Sequence, residues 1–374
     1  MIAASWPRDA PLDERLLVVD PRAGSFRDGR VGDLARLLVP GDLLVVNDAA
    51  TVPASLAATT TAGDAVEIRL ASHVSGPVWR AVLLGTGDRA TSGTPRLAIH
   101  EAWRTRTEHR PPPPPVRPGD VLAIAPRFDA RVEALDDRLP RLLTLRFSLD
   151  DDAFWPALYR HGRPVQYAHV ARPLALWHVQ TPFAARPWAV EMPSAGRPLA
   201  WALLGELRAR GVRVSSLTHA AGLSATGDPA VDAALPLPER FDLPAATVDA
   251  IAETHASGRR VVAAGTTVVR ALEGCARLTD LREGVPRDSR GGRGGSLVPG
   301  EGTTDLRIDA RFSPRIVDGL LTGLHELGTS HRSLVQAFAP EPLLARSWTH
   351  AEASGYLDHE FGDECLVLPG ALGA

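Results

Sequence analysis

Read for the spacing of its apolar positions, the chain divides into two textures. In the first, compact apolar runs alternate with segments of helical character. RLLVVD at residues 15–20, LLVV at 43–46 and VVAA at 261–264 read as strands covered on both faces, because a strand with one wet face would alternate polar and apolar. Residues 212–217, 305–308, 316–321 and 365–368 read as further strands. Helices are predicted at 33–38, at 199–210 with Gly211 as its stop, at 244–257 with Gly258 as its stop, and near the end of the chain. Another helix runs from about Asp150 to Tyr159, with Ser148 or Asp150 as its cap. The second texture fills residues 56–147. Strand-like runs at 66–70, 78–84, 96–99, 121–124, 130–135 and 142–147 are punctuated by Gly, Pro and Asp, with no convincing helix between them. Such spacing predicts a small antiparallel sandwich or barrel. The predicted organisation is therefore an α/β core of residues 1–55 and 149–374, with residues 56–148 inserted as a β-barrel.

The strongest local signal is RVVAAGTTVVRALE, residues 260–273. It reads as a buried strand, a sharp turn at Gly265-Thr266-Thr267 and a helix opening at Val268. Gly265 permits backbone angles or a close approach that a side chain forbids. Thr266 or Thr267 can cap the helix, whose first amides then face the mouth of the turn, and Arg270 lies one turn in. The stretch is either a well-capped βα unit or one wall of a ligand site. Asn47-Asp48, at the end of the 43–46 strand, is likewise a ligand contact or a turn cap. Residues 160–198 have little periodicity and read as a functional loop or crossover. The five prolines at 111–115 form a stiff spacer. Residues 284–302 form a Gly-rich insertion in which Arg287, Arg290 and Arg293 either touch phosphates or are simply solvated.

Composition narrows the chemistry. At 374 residues, 44% hydrophobic and 23% charged, the chain is an ordinary globular protein long enough for about two domains. A net charge of −3 makes no global demand for nucleic acid, so any basic face must be local. All 41 basic residues are arginine, which excludes a lysine Schiff base. Two cysteines are too few for a disulfide framework, and the reducing cytoplasm is the expected compartment. No apolar run reaches membrane length. The 12 histidines show no metal-binding spacing, so no metal is expected. A monomer is expected.

Taken in order, many of these segments resemble the S-adenosylmethionine:tRNA ribosyltransferase-isomerases of queuosine biosynthesis. The resemblance rests on RLLVVD, on PGDLLVVND with Val52-Pro53-Ala54, and on Val66-Glu67, Gln180-Thr181, Phe183-Ala184 and Pro193-Ser194-Ala195-Gly196. It continues through Gly211-Val212, Glu239-Arg240-Phe241, Leu243-Pro244, GTTVVRALE, Gly302, Thr304-Asp305-Leu306 and VDGLLTGLH at 317–325. It implies a larger barrel-like α/β domain with a small antiparallel β-barrel inserted. Departures cluster at loops. The family's NDTRV reads Asn47-Asp48-Ala49-Ala50-Thr51-Val52, without the arginine. PTAGLHF reads Pro193-Ser194-Ala195-Gly196-Arg197-Pro198-Leu199, without the histidine and phenylalanine. HLPKST reads His325-Glu326-Leu327-Gly328-Thr329-Ser330, without the lysine, and PLPPY shrinks to Pro164-Val165-Gln166-Tyr167. Only Thr218-His219-Ala220-Ala221-Gly222 remains of an LHVG-type loop. A kept scaffold with altered loops is the pattern of a divergent paralogue.

The resemblance implies transfer and isomerisation of the ribosyl moiety of S-adenosylmethionine onto a 7-aminomethyl-7-deazaguanine base in tRNA. A base near C5′ starts the reaction, because the neighbouring sulfonium acidifies those protons, and adenine departure wants a proton donor. His325 is the acid/base candidate, since imidazole titrates near neutral pH. Asp318 and Asp305 could orient it or bind ribose hydroxyls. Asp48 and Asn47 are similar candidates. Gly265, Thr266 and Thr267 would cradle the donor, Arg270 would pair with an anion, and Ser194 and Gly196 would line the pocket. Glu273 reads as a structural partner for an arginine rather than a base. Arg197 is either a new specificity contact or a solvated side chain. Two other readings stay open: a paralogue that passes S-adenosylmethionine or another nucleoside to an acceptor other than tRNA, and a non-catalytic nucleotide- or RNA-binding protein.

Overall fold

The computed structural model describes residues 1–89, 112–283, 295–326 and 328–373. The run expected at 96–99, Pro111 of the proline spacer, and Arg287, Arg290 and Arg293 lie outside the described residues. The buried apolar runs assemble into one nine-stranded mixed sheet. Its order is Gly300–Thr304, Glu239–Leu243, Arg213–His219, Leu43–Asn47, Val261–Ala264, Gly319–Gly323, Glu364–Val367, Arg15–Asp20 and Ser25–Arg30. The middle four run parallel, with Leu44 beside Val214 on one side and Val262 on the other. Glu364–Val367 runs antiparallel to Gly319–Gly323, and Arg15–Asp20 runs parallel to Glu364–Val367.

Successive residues of a strand face opposite sides, and here both sides are packed. Val45, Ala263 and Leu320 meet the helices Ala245–Ala256, Thr266–Glu283 and Glu341–Ala353. Leu44, Val262, Leu321 and Leu366 meet the helices Leu34–Leu37 and Trp201–Ala209. These strands therefore lack alternation for a physical reason, since each fully buried Leu or Val contributes about 1.5–3 kcal/mol on either face. The sheet's amino-terminal edge is fixed by Asp42, which is fully buried. It accepts from Val39 N at 3.0 Å and from Arg260 Nη2 at 2.5 Å, tying the starts of two central strands together.

The second texture becomes a closed six-stranded barrel of Ser55–Thr59, Asp64–Ser75, Val78–Arg89, Val121–Ala125, Phe128–Leu135 and Leu142–Phe147, all neighbours antiparallel. Its interior holds Leu56, Ile68, Leu83, Leu122 and Leu145. The helix Asp151–His161 seals one end by inserting Phe154, whose ring lies 4.9 Å from that of Phe147. Asp150 caps this helix by accepting from Ala153 N at 3.2 Å.

Some expectations need correction. Residues 305–308 are not a strand; the edge strand is Gly300–Thr304, paired with Glu239–Leu243. Leu306 and Ile308 are apolar because they enter the core from the loop beyond it. Glu239–Leu243 is a strand without a continuous apolar run, because its polar residues reflect a position near the sheet edge. Within the irregular 160–198 segment, Arg186–Ala189 pairs with Ala49–Thr51 as a separate two-stranded sheet. Among the described residues, no helix is long and apolar enough to cross a membrane.

The strand Val261–Ala264 hands over to its helix through Gly265, whose φ is +100°. An added Cβ would find ordinary contacts, 3.4 Å from Thr267 Oγ1 and 3.7 Å from Ala195 Cβ, so the requirement for glycine is set by the backbone. Gly265→Ala should therefore destabilise the chain by about 1–3 kcal/mol without abolishing folding, read as a lowered urea midpoint at unchanged slope. An unchanged midpoint would show that the turn tolerates a side chain.

Candidate active site

The four parallel strands release their chains at one edge of the sheet, so His219, Asn47, Gly265 and the segment after Gly323 come together although they are far apart in sequence. Asn47 is the junction. Its Oδ1 accepts from His219 N at 2.9 Å and from Ala49 N at 3.1 Å, while its Nδ2 donates to His219 O at 3.0 Å and to Thr267 Oγ1 at 3.3 Å. Gly265 N donates to Leu321 O at 2.8 Å, which joins the neighbouring strand to the same turn. The helix then opens at Thr266, which is only 8% exposed. The turn Ser194–Gly196 packs over Gly265 through Ala195. A Cβ on Gly196 would fall 2.9 Å from Phe183 Cζ and 3.1 Å from Thr181 Cγ2, so this position admits no side chain without displacement.

Beside this floor stands a group of buried polar side chains. His219 is fully buried, and its Nε2 lies 3.3 Å from Glu239 Oε2 without hydrogen-bond alignment. Burial and the charge of Arg270 push the His219 imidazole well below its usual range, so it is neutral and the contact is not an ion pair. The ion pair is Glu239 with Arg270 Nη1. Glu239 also accepts from Gly222 N at 2.7 Å, and Arg270 Nε donates to Leu306 O at 3.1 Å. Burial and the nearby Arg307 lower the Arg270 guanidinium to about 10, with Asp305 acting in the opposite sense. Arg270 Nη2 and both His219 ring nitrogens are buried atoms with no hydrogen-bond partner. Such orphaned groups cost about 1–3 kcal/mol each unless a ligand meets them.

His325 follows the strand Gly319–Gly323. Its Nε2 shares a hydrogen bond with Thr322 Oγ1 at 2.8 Å, and its carbonyl accepts from Trp348 Nε1 at 2.9 Å. Its ring stacks on His331, with centroids 4.9 Å apart and planes 23° apart. Burial, then the neighbouring His331, His359 and Arg332, pushes its imidazole well below the usual range. The expectation that His325 titrates near neutral pH is thereby corrected: the site holds it neutral. His331 is lowered to about 4 by burial and the charge of Arg270.

The other candidates separate. Asp318 does not lie near His325. It sits where Gly319–Gly323 begins, accepting from Val261 N at 2.9 Å, with His255 Nε2 at 3.7 Å. The five residues of that strand put it roughly 16 Å from the site edge. The expectation that it orients His325 is corrected by strand direction. Asp48 is at the edge but engaged by Ser216 Oγ at 2.8 Å and Thr218 Oγ1 at 2.6 Å, a brace between strands. Asp305 is exposed, beyond the edge strand and within electrostatic reach of Arg270. Glu273 accepts from the backbone amides of Arg315, Ile316 and Val317, so its partner is backbone rather than an arginine side chain. Arg197 is not solvated: it is 8% exposed and donates to Glu14 Oε1 at 2.6 Å. His219, Glu239, Thr322 and His331 join the site without a local sequence signal that marks them. Glu239 and His219 stand in quoted motifs, but only the pairing of Arg213–His219 with Glu239–Leu243 brings them face to face.

Comparison with known proteins identifies the family and the fold. The profile of the family described as "Queuosine biosynthesis protein" matches residues 1–367. A Thermus thermophilus protein named S-adenosylmethionine:tRNA ribosyltransferase-isomerase is 34% identical over 364 residues, covering 96% of this chain and 94% of its own. A protein of the same name from Acidithiobacillus ferrooxidans is 32% identical over 374 residues, covering 97% and 94%. The crystal structure of a Thermotoga maritima S-adenosylmethionine tRNA ribosyltransferase superposes with a TM-score of 0.51 at 22% identity, covering 98% of this chain and 96% of that one, a likeness of fold. The chain belongs to the queuosine biosynthesis protein family.

Proposed function

We propose that this protein is an S-adenosylmethionine-dependent ribosyltransferase-isomerase. In this reading it transfers the ribosyl moiety of the donor onto a 7-aminomethyl-7-deazaguanine base in tRNA, giving epoxyqueuosine. The observation that carries the reading is the site edge itself. A glycine at φ +100° opens a helix toward Asn47, and a half-buried neutral imidazole stands just past the adjoining strand end, in a chain of this family. In this reading Gly265, Thr266 and Thr267 present the helix amides to the donor. Asn47 sets the position of Thr267, and Ser194 and Gly196 close the cradle. Arg270 offers its unpartnered Nη2 to an anionic group while Glu239 balances its buried charge. Neutral His325 takes the C5′ proton. Asp48 positions strands rather than moving protons, and Asp318 has no catalytic part. The core of residues 1–55 and 149–374 carries this site, with residues 56–148 as the inserted unit.

A second reading keeps the donor and changes the acceptor. What favours it is sequence: residues 47–52 lack the family's arginine, and residues 325–330 lack its lysine. Incubation with S-adenosylmethionine separates the readings. Adenine release that requires tRNA bearing the precursor base supports the first, and release without tRNA supports the second. Binding of the donor with no release in either condition would sink both and leave a binding protein.

His325→Ala should lower adenine release by about 100-fold or more while donor affinity changes only a few-fold. Retained turnover would move the base elsewhere. The acid limb of the kcat/KM profile provides a separate check. The reactive form is the free base, and its pKa is pushed below the ordinary value of about 6.5. Activity should therefore persist as pH falls through 6.5 and be lost only well below it. A limb centred near 6.5 would assign the titration to an exposed group instead.

A further inference from the structure

Next to His325 lies a cluster that the proposed reaction does not use. The turn after the short strand Leu357–Asp358 carries His359 and Glu360, and these meet His169 on the long loop beyond the helix Asp151–His161. One ligand atom from each of His169, His359 and Glu360 can be chosen so that all three lie within 4.8 Å of one another. His169 Nε2 and Glu360 Oε2 are 3.4 Å apart, and both are buried atoms without a hydrogen-bond partner. That separation exceeds a normal N–H···O bond. It does match two ligands on a shared tetrahedral ion, which lie about 3.4 Å apart when each bond is about 2.1 Å.

Four further observations point the same way. The imidazoles of His169 and His359 lie 4.4 Å apart with planes 27° apart, an arrangement that would be repulsive if both carried a proton charge. His359 has a φ of +66°, a conformation disfavoured for a residue with a side chain and characteristic of functional turns. Asp358 Oδ1, 3.9 Å from His359 Nε2, is also buried and unpartnered. Apolar residues Tyr167, Val170, Met192 and Phe361 pack against the two segments and limit solvent access from that side.

We infer that His169, His359 and Glu360 form a site for a divalent transition-metal ion, zinc being the first candidate. Two imidazoles and one carboxylate are a ligand set that this ion favours, and they leave a fourth position for water or a bound group. The ion would fasten the 160s loop to the 358–361 turn. That turn touches the site edge, because a Cβ on Gly323 would lie 3.8 Å from His325 Cε1 and 4.0 Å from His359 O.

The test uses the full chain, stripped with chelator and titrated with Co²⁺ and then Zn²⁺. One equivalent of Co²⁺ should bind with visible absorption of tetrahedral intensity, Zn²⁺ should displace it, and the melting temperature should rise with metal. Glu360→Gln, which keeps the side chain's size, and His169→Ala should each weaken binding about 10-fold or more. His73→Ala, on the barrel surface, should leave it unchanged. Circular dichroism shows which variants are folded, and Glu360→Gln alone suffices if His169→Ala is not. Absence of binding tighter than about 10 μM, or equal binding by wild type and folded Glu360→Gln, overturns the site.

Discussion

The side-chain amide of Asn47 is the contact on which the site edge depends. It is the last residue of a central strand, and its two polar ends meet both backbone groups of His219 and the hydroxyl of Thr267. Three chain segments are thereby set relative to one another by one buried side chain that is 2% exposed. A buried amide that loses a partner incurs the full desolvation cost, about 1–3 kcal/mol, so this arrangement is well determined. Gly265 is the complementary constraint. Its left-handed backbone turns the chain sharply enough for the helix to begin above the strand end.

Around that junction the protein tolerates an unusual density of buried polar groups. Arg270, Glu239 and His219 share one desolvated volume, with His325 and His331 stacked nearby. A buried ion pair gives little net stability against apolar packing of the same volume. Its presence, with unpartnered nitrogens on Arg270 and His219, is better understood as preparation for a ligand. The neutral state of the histidines follows from the same burial. Arg270 supplies positive charge near His219 and His331, which further disfavours their protonation.

Much of the scaffold was legible in the chain because burial on both faces leaves an unmistakable trace. RLLVVD matches the strand Arg15–Asp20 to the residue, and LLTLRF matches Leu142–Phe147. Edge elements were harder. ERFDL and GEGTT carry the alternation and glycines of strands that are only partly covered, whereas DLRI at 305–308 alternates like a strand and is a loop. The fate of Arg197 was also hidden. An arginine in a loop reads as solvated, and only the fold shows Glu14 buried opposite it.

The layers, the insertion texture, the glycine turn and the residue types available for chemistry are all written in local periodicity or backbone freedom, and so can be read from the chain. Tertiary structure alone decided which residues share a site. Asp318 and His325 are seven positions apart yet sit at opposite ends of one strand, whereas Asn47 and Thr267 are 220 apart and hydrogen-bonded. His169 and Glu360, too, meet only because two distant segments pack against one apolar cluster. Strand direction and parallel register set these neighbourhoods, and neither is encoded in the spacing of any single segment.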